Sequence, residues 1–224
     1  MVPFDRPNQV AFITSYPEGV CPVATFTSHL VESMISASGD TLEPVLIAVQ
    51  SDASRDCSED VNFVIRKGFR SDYMEAVDFI NAGHGDVVVV QHHFDIFGEA
   101  EGSCLGDLLK RLDAPVMTTL HDVPGNLPSC HLQALHDICD ASLRVIVKNK
   151  HDLELLNKLY GIPRSKIDLI LDSRLRPDYL FNQQEKWFQI GRQYWLLVSE
   201  QLCQATDELP SYHAAKEHSL LYWE

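Results

Sequence analysis

Basic residues are scarce in this chain: Lys and Arg number 18 against 32 Asp and Glu, for a formal net charge of -14. A surface this acidic repels phosphate backbones, so nucleic-acid binding would need a local basic patch. Arg66, Lys67 and Arg70 form the only tight basic cluster, and Asp72 and Glu75 follow at once. It reads as a solvated face, and no nucleic-acid partner is expected. Long apolar runs are also missing. Runs such as Val87 to Val90 fall far short of the ~20 residues of a membrane span, so none is expected. The start, Met1-Val2-Pro3-Phe4-Asp5-Arg6-Pro7, has neither the basic opening nor the apolar stretch of a secretory signal. None of Cys21, Cys57, Cys104, Cys130, Cys139 and Cys203 falls in a C-x-x-C pair. They imply free thiols rather than a disulfide framework, and with the missing signal they imply a cytoplasmic protein.

What is present is an ordinary globular composition, 45% hydrophobic and 22% charged, which excludes disorder and collagen-like fibres. The 224 residues suffice for one well-buried domain or two small ones. Apolar β-rich runs alternate with helical patterns. Strands are expected at Gln9–Thr14, Pro44–Gln50, Val61–Ile65, Asp86–His92, Pro115–Leu120, Leu143–Val147 and Ile167–Leu171. Helices are expected at Pro22–Ser36, after a cap at Ser71 or Asp72 boxed by Glu75, and along Leu105, Leu108, Leu109 and Leu112. Others follow Leu132, Leu135 and Cys139, and a cap at Asn149. The four valines before Gln91 read as a parallel strand covered on both faces. The alternation gives an α/β fold with a doubly wound, mostly parallel, Rossmann-like sheet over residues 1–172. Residues 173–224 read as a linker, an amphipathic helix on Trp187, Ile190, Tyr194, Leu197 and Val198 that packs back on the sheet, and a tail ending in Leu220, Leu221, Tyr222 and Trp223.

In an open parallel sheet, ligands bind beyond the carboxyl ends of the strands. Ser15–Cys21, His92–Glu101, His121–Gly125 and Lys148–Lys150 map there. His121 beside Asp122 at a strand end can accept or orient a proton near neutral pH. In Gln91-His92-His93-Phe94-Asp95-Ile96-Phe97-Gly98, the phenylalanines can close a pocket while His92 faces the crevice. His92, His121 and Asp122 would be the ligands of a metal-dependent hydrolase, an alternative that lacks paired-histidine spacing. The Tyr16-Pro17-Glu18-Gly19-Val20-Cys21-Pro22 turn offers Gly19 alone to a phosphate, and G-x-G-x-x-G is absent.

Val10-Ala11-Phe12-Ile13-Thr14-Ser15-Tyr16-Pro17, Cys21 to Thr27, Gln91-His92 through Gly98-Glu99-Ala100, Thr118-Thr119-Leu120-His121, and Tyr160-Gly161-Ile162-Pro163 with Lys166-Ile167-Asp168 resemble the N-terminal lobe of family 4 retaining glycosyltransferases. Those are two-lobed enzymes of the GT-B fold. The resemblance implies hexosyl transfer, with a carbohydrate acceptor held by this lobe and a nucleotide sugar held mainly by a second. It makes His121 the residue at the donor sugar, with Asp122 beside it as the other catalytic candidate. It brings Gly19 to the donor phosphates, and it lines the acceptor cleft with His92, Phe94, Phe97, Gly98 and Glu99. No cofactor and no metal are called for.

The pattern departs from the family at Pro22, where glycine is usual, and at His93, where glutamate is usual. It departs again at Leu171-Asp172-Ser173, where Pro-His-Gly usually leads into the donor lobe. Glu185-Lys186-Trp187 through Leu197 instead resembles the family's closing helix. The expectation is a lobe without its donor half, either a non-catalytic remnant or the acceptor part of a split enzyme. Its partner would be a separate donor-lobe subunit or a second copy. A self-sufficient glycosyltransferase using His121 and His92 is the other reading.

Overall fold

The computed structural model describes residues 8–15, 21–50, 59–97, 100–171 and 183–205. Seven strands make one sheet, and every pairing is parallel. They are β1 (Asn8–Ser15), β2 (Leu42–Gln50), β3 (Phe63–Arg66), β4 (Val87–His92), β5 (Val116–Leu120), β6 (Arg144–Val147) and β7 (Ile167–Leu169), in the order β3-β2-β1-β4-β5-β6-β7. The chain builds outward from β1 to β3, then returns to start again at β4 on the other side of β1. The switch point therefore lies between β1 and β4, where ligand crevices form in such sheets.

Alternation along each strand feeds two cores. Ala11 and Ile13 of β1 with Val88 and Val90 of β4 pack against α2 (Arg70–Asn81) and α4 (Ala100–Leu109), through Tyr73, Val77, Ile80, Leu105 and Leu108. Val10, Phe12, Val87 and Val89 face the opposite way, onto α1 (Pro22–Ala37) and α7 (Gln183–Ala205). All four valines are fully buried, as a strand sandwiched between helical layers requires. A third cluster, around α5 (Ser129–Ala141) and α6 (Lys150–Glu154), closes the β6–β7 end. The two-sided sheet and the returning helix agree with the expectation from sequence.

Helix α7 closes on the sheet through Ile190, Tyr194 and Val198, which interleave with Leu30 and Met34 of α1. Gly191 permits this approach. A Cβ there would sit 2.4 Å from Ser33 Cβ and 2.7 Å from its carbonyl oxygen, well inside contact distance. The Tyr194 hydroxyl reaches across to Thr119 Oγ1 at 2.9 Å, tying the helix to the end of β5.

One local expectation is corrected. Neither Ser71 nor Asp72 caps α2; the helix starts at Arg70 behind Phe69, which makes no side-chain cap bond. Asp72 is instead fully buried and accepts from Arg66 Nε at 2.7 Å and Nη2 at 2.8 Å. A bidentate guanidinium satisfies a buried carboxylate better than one helix N–H would. The basic cluster does lie on a solvated face, with Arg70 exposed and Arg66 and Lys67 half-buried, and it is ion-paired there: Arg66 is clamped by Asp72 and lies 4.2 Å over the Phe69 ring, and Arg70 pairs with Asp107. The Asn149 cap does form, its Oδ1 accepting from Asp152 N–H at 2.8 Å. The helix runs on as a π-turn through Leu155–Leu159 and ends at Gly161, whose φ of +73° suits glycine. Cys21, Cys104, Cys130 and Cys139 are free thiols. Among the described residues, no helix is long and apolar enough to cross a membrane.

Candidate functional site

Parallel strands in register deliver their last residues side by side. Gln91 pairs with Thr119 and His92 with Leu120 across β4–β5, and Leu120 with Val147 across β5–β6. One residue further on, His121 and Lys148 leave adjacent strand ends together. The backbone N–H of His121 still donates to the His92 carbonyl at 3.0 Å, so the ladder holds the histidine rigidly. By strand parity, Gln91, His121 and Lys148 belong to the α1/α7 side of the sheet, whereas His92 belongs to the other.

On the α1/α7 side the three polar side chains form a row. His121 Nε2 lies 2.8 Å from Gln91 Oε1, and Lys148 Nζ lies 3.0 Å from His121 Nδ1. An ammonium can only donate, so Nδ1 carries the lone pair and Nε2–H donates to the Gln91 carbonyl. The imidazole is therefore neutral, in one defined tautomer. Phe26 of α1 sits edge-on to it, with centroids 5.0 Å apart, and the Lys148 ammonium lies 5.3 Å from the same ring. Behind Phe26 stands Trp187 of α7, at 5.2 Å, and His29, one turn along α1 from Phe26, also meets the Trp187 ring at 4.8 Å. Gln91 is fully buried, and its Nε2 has no partner. It is a donor held in reserve at the foot of the row.

On the other side, His92 is 1% exposed and does not look into open solvent. The four-residue helix α3 (Phe94–Phe97) folds over it: Phe97 stacks on the imidazole at 5.6 Å and Phe94 meets it edge-on at 4.9 Å. Neither ring nitrogen has a hydrogen-bond partner. Burial, aided by the neighbouring His93 and His131, drives its pKa down to about 3, so His92 is neutral throughout the physiological range. His131 stacks on Phe94 from α5, at 5.4 Å.

Asp122 does not join His121. Its Oδ1 faces His93 Nε2 at 3.6 Å, beyond hydrogen-bond reach, because successive residues leave the strand end in opposite directions. Nor do the three proposed metal ligands converge. His121 has protein partners on both nitrogens and His92 lies on the opposite face, so the hydrolase reading loses its donor set. Among the described residues no three His, Cys, Asp or Glu side chains could share a metal ion. Phe94 and Phe97 close a cage around His92, and Gly19, Gly98 and Glu99 lie outside the described residues.

The sequence reading puts Lys148 at the crevice and Gln91 in the strand-end motif but gives neither a site role; the structure sets both against His121. The signal was available: both stand where adjacent parallel strands end, on the side to which His121 projects. Phe26 and Trp187 could not be placed there without the crossing of α1 and α7.

No protein-family model and no curated protein sequence matches the chain. Its likeness is to solved structures. A glycosyltransferase from Rickettsia africae ESF-5 superposes with a TM-score of 0.50 at 15% identity, over 91% of this chain and 51% of that one. An alpha-glucosyltransferase solved in complex with UDP and a 13-mer DNA containing an HMU base superposes with a TM-score of 0.52 at 13% identity, over 79% and 46%. The chain thus spans about half the length of these structures, and what it shares with them is a Rossmann-like glycosyltransferase fold.

Proposed function

We propose that this chain is the acceptor-side lobe of a family 4 type hexosyl transfer from a nucleotide sugar, and that it depends on a separate donor-binding lobe to complete the reaction. The observation that carries this reading is the Gln91–His121–Lys148 row at the carboxyl edge of β4, β5 and β6, next to the switch point of a glycosyltransferase-like sheet. A neutral histidine held by its own strand end, with a cation and a spare amide donor at its sides, suits a polar, hydroxyl-bearing ligand near a phosphate. Dependence on a second lobe is argued from the chain between β7 and α7. Residues 172–182 alone separate Leu171 from the returning helix. A nucleotide-binding fold needs on the order of 100 residues, so none is inserted at that point. Groups that enclose the leaving diphosphate carry much of such catalysis, and half a cleft leaves it in water.

The test is to incubate the pure chain with uridine, guanosine and adenosine diphosphate hexoses and follow nucleotide diphosphate release. No release above buffer is expected from the chain alone. Sustained release that disappears in His121→Ala would instead make it a self-sufficient transferase.

A further inference from the structure

We infer that the groove between α1 and α7 is a docking site for a basic segment of a partner protein, one that presents arginines beside an apolar side chain. One stripe of α1, from His29 through Glu32 to Ser36, faces Glu185, Trp187 and Phe188 of α7 across a cavity of about 580 Å³. The two helices are held at a fixed spacing. Gly191 lets α7 close on Ser33, where a Cβ would stand 2.4 Å from Ser33 Cβ, and the Trp187 ring meets His29 at 4.8 Å. The walls are therefore set before a ligand arrives, which lowers the ordering cost of binding. The groove shares no described residue with the Gln91–His121–Lys148 row, so its role stands apart from the functional reading.

The lining selects the occupant. Phe188 is 42% exposed and Trp187 half-buried, so one wall shows aromatic surface to solvent. Glu32 and Glu185 are exposed, one on each wall, and neither has an ion pair or hydrogen bond among the described residues. Among the described residues no Lys or Arg lines the cavity. Arginine matches both features: its guanidinium stacks on an aromatic face, pairs bidentately with a carboxylate and is more weakly hydrated than an ammonium. A segment with two arginines and an apolar residue on one helical face would lie along the seam, the apolar residue against Phe188. A second copy of this chain does not fit. It also carries a formal charge of -14, and a two-fold contact here would set Glu32 and Glu185 against their own copies. The same acidity steers a basic partner in.

The test uses the full chain and, as probe, a labelled alanine-based helical peptide of about 16 residues with two arginines and a leucine on one face. Fluorescence anisotropy should show saturable binding that weakens as salt is raised, with 15N shifts centred on Glu32, Glu185 and Phe188. Glu32→Gln and Glu185→Gln should each weaken binding roughly two- to fivefold. Asp113→Asn, an exposed carboxylate beside α2 on the other side of the sheet, should leave it unchanged. Glu32→Lys with Glu185→Lys should lose the arginine peptide and take up its glutamate counterpart. All four substituted positions are exposed, so the variants keep the fold. The docking role is overturned if the peptide does not saturate at millimolar concentration, if its shifts map elsewhere, or if Asp113→Asn weakens it as much as Glu32→Gln does. Spermidine filling the groove as tightly as the peptide, or a dimer formed through it in sedimentation, would overturn it too. None of these outcomes touches the lobe reading, and a chain inactive in transfer leaves the groove's role standing.

Discussion

Replacing His92 with phenylalanine should flatten the acid side of the stability profile. In the folded chain this imidazole lies between Phe94 and Phe97 without a hydrogen bond, and burial first, then His93 and His131, takes its pKa to about 3. In the unfolded chain it titrates near the ordinary value of about 6.5. The base is thus depressed on folding, so between those two values the unfolded chain binds the extra proton. Stability is full above about pH 6.5 and falls as the pH drops, by roughly 1.4 kcal/mol per unit until the folded pKa is reached. At pH 5 the loss is about 2 kcal/mol, a large part of an ordinary domain's margin of ~5–15 kcal/mol. The Phe variant has nothing to protonate at this position. It also removes two buried nitrogens without partners, each worth about 1–3 kcal/mol of desolvation, so at pH 7 it should be no less stable than the wild type beyond the strain of fitting a larger ring. Urea unfolding followed by circular dichroism at pH 7, 6 and 5, at constant ionic strength, measures the difference directly. All other titrating groups cancel between the two proteins. Parallel wild-type and variant curves would refute the assignment of a buried, neutral His92.

Gly191→Ala should destabilise the chain by about 1–3 kcal/mol, the usual range for overpacking. The new methyl would fall 2.4 Å from Ser33 Cβ, and the ~1 kcal/mol gained in helix propensity does not offset a forced separation of α1 and α7. A denaturation midpoint at or above wild type would contradict that close approach. Tyr194→Phe removes the hydroxyl bonded to Thr119 and leaves that buried threonine without it, for an expected loss of about 1–2 kcal/mol in the same assay. Asn149→Ala takes away the cap on Asp152 N–H and should cost about 1 kcal/mol, with faster amide exchange confined to α6.

The layered architecture was legible because parallel strands buried on both faces read as short continuous apolar runs between helical patterns. Four valines in a row, bounded by polar residues, read as such a strand, and Ile190, Tyr194 and Val198 mark one buried stripe on α7. Strand order was not readable from pattern, since the step from β3 across to β4 is set by which helices fit which face. At α2, the capping signal at Asp72 was overridden by a partner six residues earlier in the chain, a guanidinium that local pattern cannot weigh against a helix N–H. The site was half legible. His121 announced itself by standing at a strand end, but its partners come from neighbouring strands rather than from the adjacent Asp122. His92 read as facing the crevice because α3, a helix of one turn, is too short to leave a periodic signal.

Titration of the 15N-labelled chain with a panel of neutral oligosaccharides tests the central claim most directly, because an acceptor lobe must hold carbohydrate by itself. The account predicts saturable shifts centred on Gln91, His121, Lys148 and the indole of Trp187, lost in His121→Ala while the rest of the spectrum stays folded. Saturable binding that maps to the amino edge of the sheet, or no response across the panel, would contradict it.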